Sequence, residues 1–221
     1  MDLEGVGVVD AVVPTVLDGS TTYATTVRTA LAERRSALDD SLRQLAGRCD
    51  ALSAIACALV ESLHAGGKVL VAGNGGSAAE AQHFAAELVG RFKCERRPYA
   101  ALALTVDSSV LTAVGNDYGF ADVFARQVLA VGQPGDLLLA YSTSGNSENL
   151  LRAAVAARRC GMTVAAVTGD LPNPLERLAD RALRVPSTDT PVIQELQMVT
   201  THVLCEIAER ELMRFEREVD A

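Results

Sequence analysis

The sequence is poor in aromatic residues and contains no tryptophan. Phe, Trp and Tyr together make up 4% of its 221 residues. Proteins that bind bases or sugar rings by stacking need a platform of aromatic side chains. This composition excludes such a platform, so polar groups have to recognise any ligand.

Positive charge is also scarce. Lys and Arg number 20 against 28 Asp and Glu, which gives a formal net charge of -8 at pH 7. A protein that binds nucleic acid usually neutralises phosphates with a basic surface. We therefore expect no nucleic-acid partner.

Long hydrophobic runs and paired cysteine motifs are missing as well. No stretch reaches the roughly 18 apolar residues of a membrane span. The first basic residue is Arg28, so the amino terminus lacks the positive region of a secretory signal. The five cysteines are odd in number and include no C-x-x-C pair. We expect a cytoplasmic protein with free thiols and no membrane partner.

The hydrophobic pattern predicts one α/β domain. Residues 1–20 show no helical or strand period, so we interpret them as a mobile extension that precedes a single domain over residues 21–221. Thr21–His64 has the spacing of a long helix broken near Gly47–Asp50, and Gln194–Arg217 that of a long carboxy-terminal helix. Between them, short apolar runs alternate with helical segments, which favours a parallel sheet with helices on both faces. The predicted strands are Lys68–Ala72, Ala100–Leu104, Asp136–Tyr141, Thr163–Thr168 and Ala182–Val185.

A glycine-rich turn follows the first predicted strand. Gly73–Ser77 reads Gly-Asn-Gly-Gly-Ser and opens a helix over Ala78–Val89, so backbone N–H groups can approach an anion closely. The spacing is neither that of a dinucleotide-binding turn nor that of a P-loop. The alternative is purely structural, with Ser77 capping the helix and Glu80 completing a capping box.

A second polar loop, Ser142–Ser147, reads Ser-Thr-Ser-Gly-Asn-Ser and opens a helix over Glu148–Arg159. It carries four hydroxyl side chains, more than one helix cap requires. Both loops follow strands of a parallel sheet and should lie at its carboxyl edge, where open α/β sheets bind ligands. Neutral donors and helix amino termini suit the single phosphate of a small phosphorylated molecule.

Four further residues could act as metal ligands or as acids and bases. His83 and Glu87 lie four residues apart on one helical face, although a surface ion pair is the alternative interpretation. Gln194 and His202 lie eight residues apart, about 12 Å along a helix axis. That offset leaves little slack within one subunit, so we expect a neighbouring subunit to help complete the site.

These motifs together resemble the phosphoheptose isomerases of the sugar isomerase (SIS) fold. The resemblance rests on Gly73–Ser77, Ala81–Leu88, Val114–Gly119, Ser142–Ser147 and Ile193–Glu195 with His202, in that order. It implies a three-layer sandwich with a five-stranded parallel sheet, and amino- and carboxy-terminal helices that pack a homotetramer. It also implies active sites between subunits and the conversion of D-sedoheptulose 7-phosphate into D-glycero-D-manno-heptose 7-phosphate.

Carried over by motif, the resemblance also implies the roles of individual residues. Glu87 would be the catalytic base and His202 the acid. One zinc ion per site would be held by His83, Glu87, Gln194 and His202. The substrate would be bound by Asn74, Gly75, Gly76, Glu87, Asn116, Asp117, Ser142, Thr143, Ser144, Ser147 and Gln194.

Three positions depart from the family pattern. Asp170–Pro174 replaces a glycine-rich turn, Val192 stands where an arginine is common, and Gln197 stands where a histidine is frequent. The alternative function is a non-catalytic SIS protein that binds a phosphosugar or a protein partner such as the DnaA initiator. The relative of that kind lacks the equivalents of Glu87 and His202. Because this chain has both, the sequence favours the isomerase.

Overall fold

The computed structural model describes residues 19–219, and the side chains of residues 23–218. The chain divides between Ala37 and Leu38 into two units. The described part of the first unit is helical and belongs to the first helix. Most of the predicted extension over residues 1–20 lies outside the described residues. In the described part of the chain, no helix has the length and apolar character needed to cross a membrane.

The elements alternate as predicted, with small shifts at their ends. The helices are α1 (Gly19–Ala46), α2 (Cys49–His64), α3 (Gly76–Val89), α4 (Ser108–Asp117), α5 (Ala125–Val131), α6 (Glu148–Arg159), α7 (Pro174–Leu178) and α8 (Thr190–Val219), with a 3-10 turn at Phe120–Asp122. The strands are β1 (Val69–Ala72), β2 (Ala101–Ala103), β3 (Leu137–Ser142), β4 (Thr163–Thr168) and β5 (Arg181–Arg184).

The five strands form one parallel sheet in the order β2-β1-β3-β4-β5. Every residue of β1 and β3 is buried, as expected for central strands that are covered on both faces. α2, α3 and α8 pack together on one face, and α5, α6 and α7 on the other. The predicted three-layer α/β sandwich is confirmed.

The predicted break in the first long helix is confirmed at Gly47–Arg48, between α1 and α2. The Arg48 Nη1 atom donates hydrogen bonds of 2.6 Å to Asp170 Oδ1 and to the Arg184 carbonyl. Arg48 therefore ties the start of α2 to the loop after β4 and to the end of β5. Asp170 belongs to the segment that departs from the family pattern, and here it anchors a helix.

The strand order brings the two polar loops together. Gly73–Ser77 follows β1 and Ser142–Ser147 begins at the end of β3, and these two strands are direct neighbours in register. α3 and α8 lie side by side over the same half of the sheet. The helix that carries His83 and Glu87 is therefore packed against the helix that carries Gln194 and His202.

Candidate active site

The glycine turn after β1 is built by close backbone approach. A Cβ atom at Gly73 would overlap the Ser77 backbone, and one at Gly76 would overlap the Gln194 amide. Gly75 has φ +57° and is the N-cap of α3. Larger residues at 73 and 76 would have to displace either the turn or Gln194, so the turn needs its glycines for packing as well as for conformation.

The capping-box interpretation of this turn is wrong. The N-cap is Gly75, which has no side chain, and Ser77 lies inside the helix. The Ser77 hydroxyl donates to Gln197 Oε1 at 3.0 Å, and Gln197 Nε2 donates to the Val167 carbonyl at 3.1 Å. Ser77 therefore fastens the first turn of α3 to α8 and β4. The α3 amino terminus keeps its backbone N–H groups clear of a side-chain cap.

Glu80, the other half of the supposed box, is a buried acid beside the candidate site. Only 5% of the residue is exposed, and its Oε1 atom has no hydrogen-bond partner within the described residues. Burial raises the pKa of Glu80, against the opposing effects of a hydrogen bond with Thr201 and of His83 and His202. Thr201 also pairs with the buried Tyr141 hydroxyl at 2.7 Å. Sequence reasoning missed this polar chain because each member occupies a helix or strand position typical of core residues.

The two polar loops are joined directly by an amide pair. Asn74 and Asn149 exchange reciprocal hydrogen bonds of 2.9 and 2.8 Å. Asn149 is buried at the start of α6 and was not among the predicted site residues. Its position directly after the hydroxyl loop was the only sequence signal. The pair holds Gly73–Ser77 at a fixed place beside Ser142–Ser147.

The hydroxyl loop after β3 has one inward-facing serine and several accessible groups. The buried Ser142 hydroxyl accepts a hydrogen bond from the Gly145 N–H at 2.9 Å, which closes the loop. Gly145 has φ +65°, and a Cβ atom there would overlap Asn173. Ser144 is exposed, Thr143 and Ser147 are half-buried, and Ser147 is the N-cap of α6 without a side-chain cap bond. Hydroxyls and helix N–H groups thus converge where a phosphate can bind.

A cluster of three predicted ligands lies between α3 and α8. His83 Nε2 is 3.1 Å from His202 Nε2 and 3.3 Å from Glu87 Oε1. The ligand atoms of the three residues all lie within 4.8 Å of one another, and all three side chains are half-buried. His83 and Glu87 share a face because they are one helical turn apart on α3, as predicted.

The cluster fits a metal ion. Two ligands of a tetrahedral ion with bonds of about 2.0 Å lie about 3.3 Å apart, close to the two short separations measured here. Two imidazole nitrogens and a carboxylate are donors that divalent transition metals accept. All three come from one chain. These three ligands need no second subunit, since α3 and α8 already lie side by side. Completion of the site by a neighbouring subunit stays a prediction.

The remaining predicted residues lie around this cluster at different places. Gln194 lies inside α8, with its side-chain amide packed on Gly76 at the start of α3. Asn116 and Asp117 end α4, where both are exposed and the Asn116 amide donates to Asp117 Oδ1 at 2.8 Å. Gln194 thus lies at the glycine turn, while Asn116 and Asp117 face outward from their own chain.

Comparison with known proteins places this fold and site in a class. The family model of the SIS domain matches residues 35–169. A phosphoheptose isomerase from Bradyrhizobium sp. (strain BTAi1) is 50% identical over 187 residues, which cover 85% of this chain and 91% of the relative. One from Rhodospirillum rubrum is 50% identical over 170 residues, 77% of this chain and 90% of the relative. The chain therefore belongs to the SIS-domain proteins.

Two solved structures carry the comparison further. The phosphoheptose isomerase of Neisseria gonorrhoeae has a TM-score of 0.77 and 39% identity, covering 85% of this chain and 99% of that one. The enzyme of Francisella tularensis has a TM-score of 0.75 and 41% identity, covering 82% and 98%. The chain belongs to the phosphoheptose isomerase family.

Proposed function

We propose that the protein converts D-sedoheptulose 7-phosphate into D-glycero-D-manno-heptose 7-phosphate through an enediol. The observation that carries the proposal is the cluster of His83, Glu87 and His202 on α3 and α8, where α3 begins at one of two adjacent polar loops. A ketose-to-aldose isomerisation needs a base at carbon, an acid at oxygen and stabilisation of a developing oxyanion. The cluster offers all three kinds of group within a few ångströms.

Glu87 would move the carbon-bound proton. Its carboxylate would remove a proton from C1 of the ketose, and the electron pair of that C–H bond would form the C1–C2 double bond of the enediol. His202 would give a proton to O2 and later accept the proton from O1. Return of the first proton from Glu87 to C2 completes the aldose with no net loss or gain of protons. Both side chains are half-buried, so both are accessible from solvent.

We propose zinc as the metal, since imidazole nitrogens and a carboxylate oxygen are among its usual ligands. His83, Glu87 and His202 would hold it together with the Gln194 amide oxygen. When bound, zinc supplies a Lewis acid that stabilises negative charge on a substrate oxygen. Glu87 would then be both a metal ligand and the catalytic base, although a carboxylate that binds a metal loses basicity. Since Oε1 is the oxygen that faces His83, Oε2 would be the one that exchanges the carbon-bound proton.

The loops would supply substrate binding. Ser142, Thr143, Ser144 and Ser147, with the amino terminus of α6, would hold the phosphate, while Asn74, Gly75, Gly76 and Gln194 would face the sugar. Glu87 would contact the reacting carbons. A phosphorylated sugar is charged and stays where it is made, so a cytoplasmic location fits this substrate.

A homotetramer with shared sites would give Asn116 and Asp117 their role. Both are exposed at the end of α4, which suits delivery to the site of a neighbouring subunit. The mixed-oligomer test pairs Glu87→Gln chains with Asp117→Ala chains. At a 1:1 ratio, about a quarter of composite sites regain both natural residues, and activity should return to that extent. Inactivity of verified mixed oligomers would show that each site belongs to one chain.

Incubation of the purified protein with sedoheptulose 7-phosphate, followed by NMR of the sugar, tests the reaction. We expect the heptose 7-phosphate aldose to form. In D2O, deuterium should enter C2 to the extent that the proton held by Glu87 exchanges with solvent before it returns. Fructose 6-phosphate is the control for substrate length. Binding of the heptose without conversion would instead favour the non-catalytic alternative.

A further inference from the structure

A buried carboxylate lies under the candidate site and is not among its catalytic groups. Glu209 is on α8, two helical turns beyond His202, and its side chain is 4% exposed. Three consecutive backbone N–H groups donate to it: Phe92 to Oε1 at 3.1 Å, and Lys93 and Cys94 to Oε2 at 2.8 and 3.0 Å. The carboxylate therefore fixes the path of the chain immediately after α3.

The same carboxylate holds an arginine that caps α3. The Arg96 side chain is 1% exposed, and its Nε atom lies 3.2 Å from Glu209 Oε1 without the alignment of a hydrogen bond. Its Nη2 atom donates to the Glu87 carbonyl at 2.8 Å, and its Nη1 atom donates to the carbonyls of Leu88 and Gly90 at 2.9 and 3.1 Å. The Glu87 and Leu88 carbonyls belong to the last turn of α3 and the Gly90 carbonyl to its C-cap. No N–H of the helix itself can reach them, and a cation is favourable there.

Glu209 is also connected to His202, through Phe92. The Phe92 ring lies against the His202 ring, with centroids 5.6 Å apart and planes inclined by 31°. The Phe92 N–H is one of the three that Glu209 accepts. One carboxylate thus connects the backbone of Glu87, through Arg96, with the ring that packs on His202.

We propose that Arg96 and Glu209 are positioning residues, which fix the Glu87 carboxylate relative to the His202 imidazole. The proposal rests on the roles given above to Glu87 and His202. A displacement of about 1 Å between reacting groups can cost about 100-fold in rate. The backbone carbonyl of the base and the ring beside the acid are the two points at which these residues act.

Stability alone is a weak reason for such a pair. A buried ion pair gains little over apolar residues of the same volume, because removing two charges from water is costly. Here both terminal nitrogens of the arginine donate to carbonyls at the end of α3. Burial opposes ionisation of Glu209, but the N–H groups of Lys93, Phe92 and Cys94 and the charge of Arg96 outweigh it and lower the pKa of Glu209. The Glu209 carboxylate is therefore ionised at neutral pH and faces the positive charge of Arg96.

The chain offers a matched control between the same two elements. Lys93 Nζ lies 2.7 Å from Glu206 Oε2, and both side chains are 56% exposed. This pair joins the segment after α3 to α8 one turn from Glu209. The Lys93 ammonium also lies 5.5 Å from the centre of the Phe92 ring, so the control changes Glu206 and leaves Lys93 in place. Glu206→Gln removes a charge from the same helix without disturbing the buried contacts.

The test compares the steady-state kinetics of Arg96→Lys, Glu209→Gln and Glu206→Gln. Lysine keeps the charge beside Glu209 but cannot donate to three carbonyls in the arginine geometry. We expect kcat to fall at least tenfold in Arg96→Lys and Glu209→Gln, with KM within about twofold, and both constants to stay within about twofold in Glu206→Gln. If folded Arg96→Lys and Glu209→Gln keep kcat within twofold of the parent, the proposal is wrong.

Two further measurements separate positioning from simple loss of structure and from failure of the proposed reaction. Phe92→Leu leaves the Arg96–Glu209 pair in place and should fold. A fall in kcat of about fivefold at unchanged KM supports the connection from Glu209 through Phe92 to His202, and an unchanged kcat contradicts that connection. If the parent protein does not isomerise the heptose, the proposed function fails, and crystal structures decide this proposal instead. A change of 0.5 Å or more in the Glu87–His202 separation in Arg96→Lys, absent from Glu206→Gln, supports it, whereas unchanged separation overturns it.

Discussion

The two ends of the central strands differ in how their polar groups are satisfied. At the amino ends, Asp136 is 2% exposed and accepts from the Lys68 N–H at 2.9 Å, the Lys68 ammonium at 2.6 Å and the Gln133 N–H at 2.8 Å. At the carboxyl ends, Ser144 and Ser147 are accessible, and the cluster around His83 is half-buried. Every bond of Asp136 is internal, whereas the other end keeps hydrogen-bonding capacity for a ligand.

This difference separates stability from activity along the same strands. Groups satisfied inside the protein contribute to its folding free energy, and groups with spare capacity contribute to binding and chemistry. Substitutions at the carboxyl end should therefore change kinetics at nearly constant stability, and substitutions at the amino end should do the reverse. The following predictions are ordered from the largest expected effect to the smallest.

The largest effect is expected from Glu87→Gln. An amide cannot accept the carbon-bound proton but keeps the volume of the side chain, so kcat should fall about 1000-fold or more while the fold is retained. Turnover by the NMR assay and the thermal unfolding midpoint measure the two quantities. Activity within tenfold of the parent would remove Glu87 as the base.

The converse effect is expected from Asp136→Ala at the amino end. Removal of the carboxylate leaves the half-buried Lys68 ammonium and two backbone N–H groups without their acceptor, which should lower the free energy of unfolding by about 3 kcal/mol. Urea titration measures that loss. The kcat of the folded protein should be unchanged, and a fall parallel to that of Glu87→Gln would show that the two ends are not independent.

Sequence patterns predicted the elements better than the contacts between them. The strand Thr163–Thr168 and the helix Glu148–Arg159 have the predicted bounds, because glycine and polar loops delimit both segments. Local spacing also identified His83 and Glu87 as a pair. The alternative of Ser77 as a cap stayed open in the sequence, since a serine at the start of a helix looks the same whether it bonds its own helix or the distant Gln197.

The remaining contacts of the site join residues that are far apart in the sequence, and no local sequence pattern predicts such contacts. Glu209 meets Phe92 across 117 positions, and Asn74 meets Asn149 across 75. Neither pair has a period or a turn signal. The expected offset of about 12 Å between Gln194 and His202 suggested a second subunit, because the sequence does not show that α3 packs on α8. The division into residues 1–20 and 21–221 stays a prediction.

A smaller kinetic effect is expected from Ser144→Ala in the hydroxyl loop. The phosphate is bound alike in the ground state and the transition state, so loss of one hydroxyl should raise KM about fivefold and leave kcat within twofold. Steady-state kinetics with the heptose phosphate measure both constants. Equal falls in kcat and kcat/KM would mean that this hydroxyl acts at the reacting carbons.

The smallest effect concerns pH and Glu209, whose buried contacts resemble those of Asp136 although it lies near the active cluster. Its pKa is lowered below the ordinary 4.5, so its ionised form stabilises the folded state. That contribution is fully present above about pH 4.5 and is lost as the pH falls through the lower folded pKa. The stability difference between the parent and Glu209→Gln should therefore be constant near neutrality and shrink in acid. Urea titrations from pH 7 to pH 3 measure it, with the exposed Glu206→Gln as control, and a difference that grows in acid would contradict the sign.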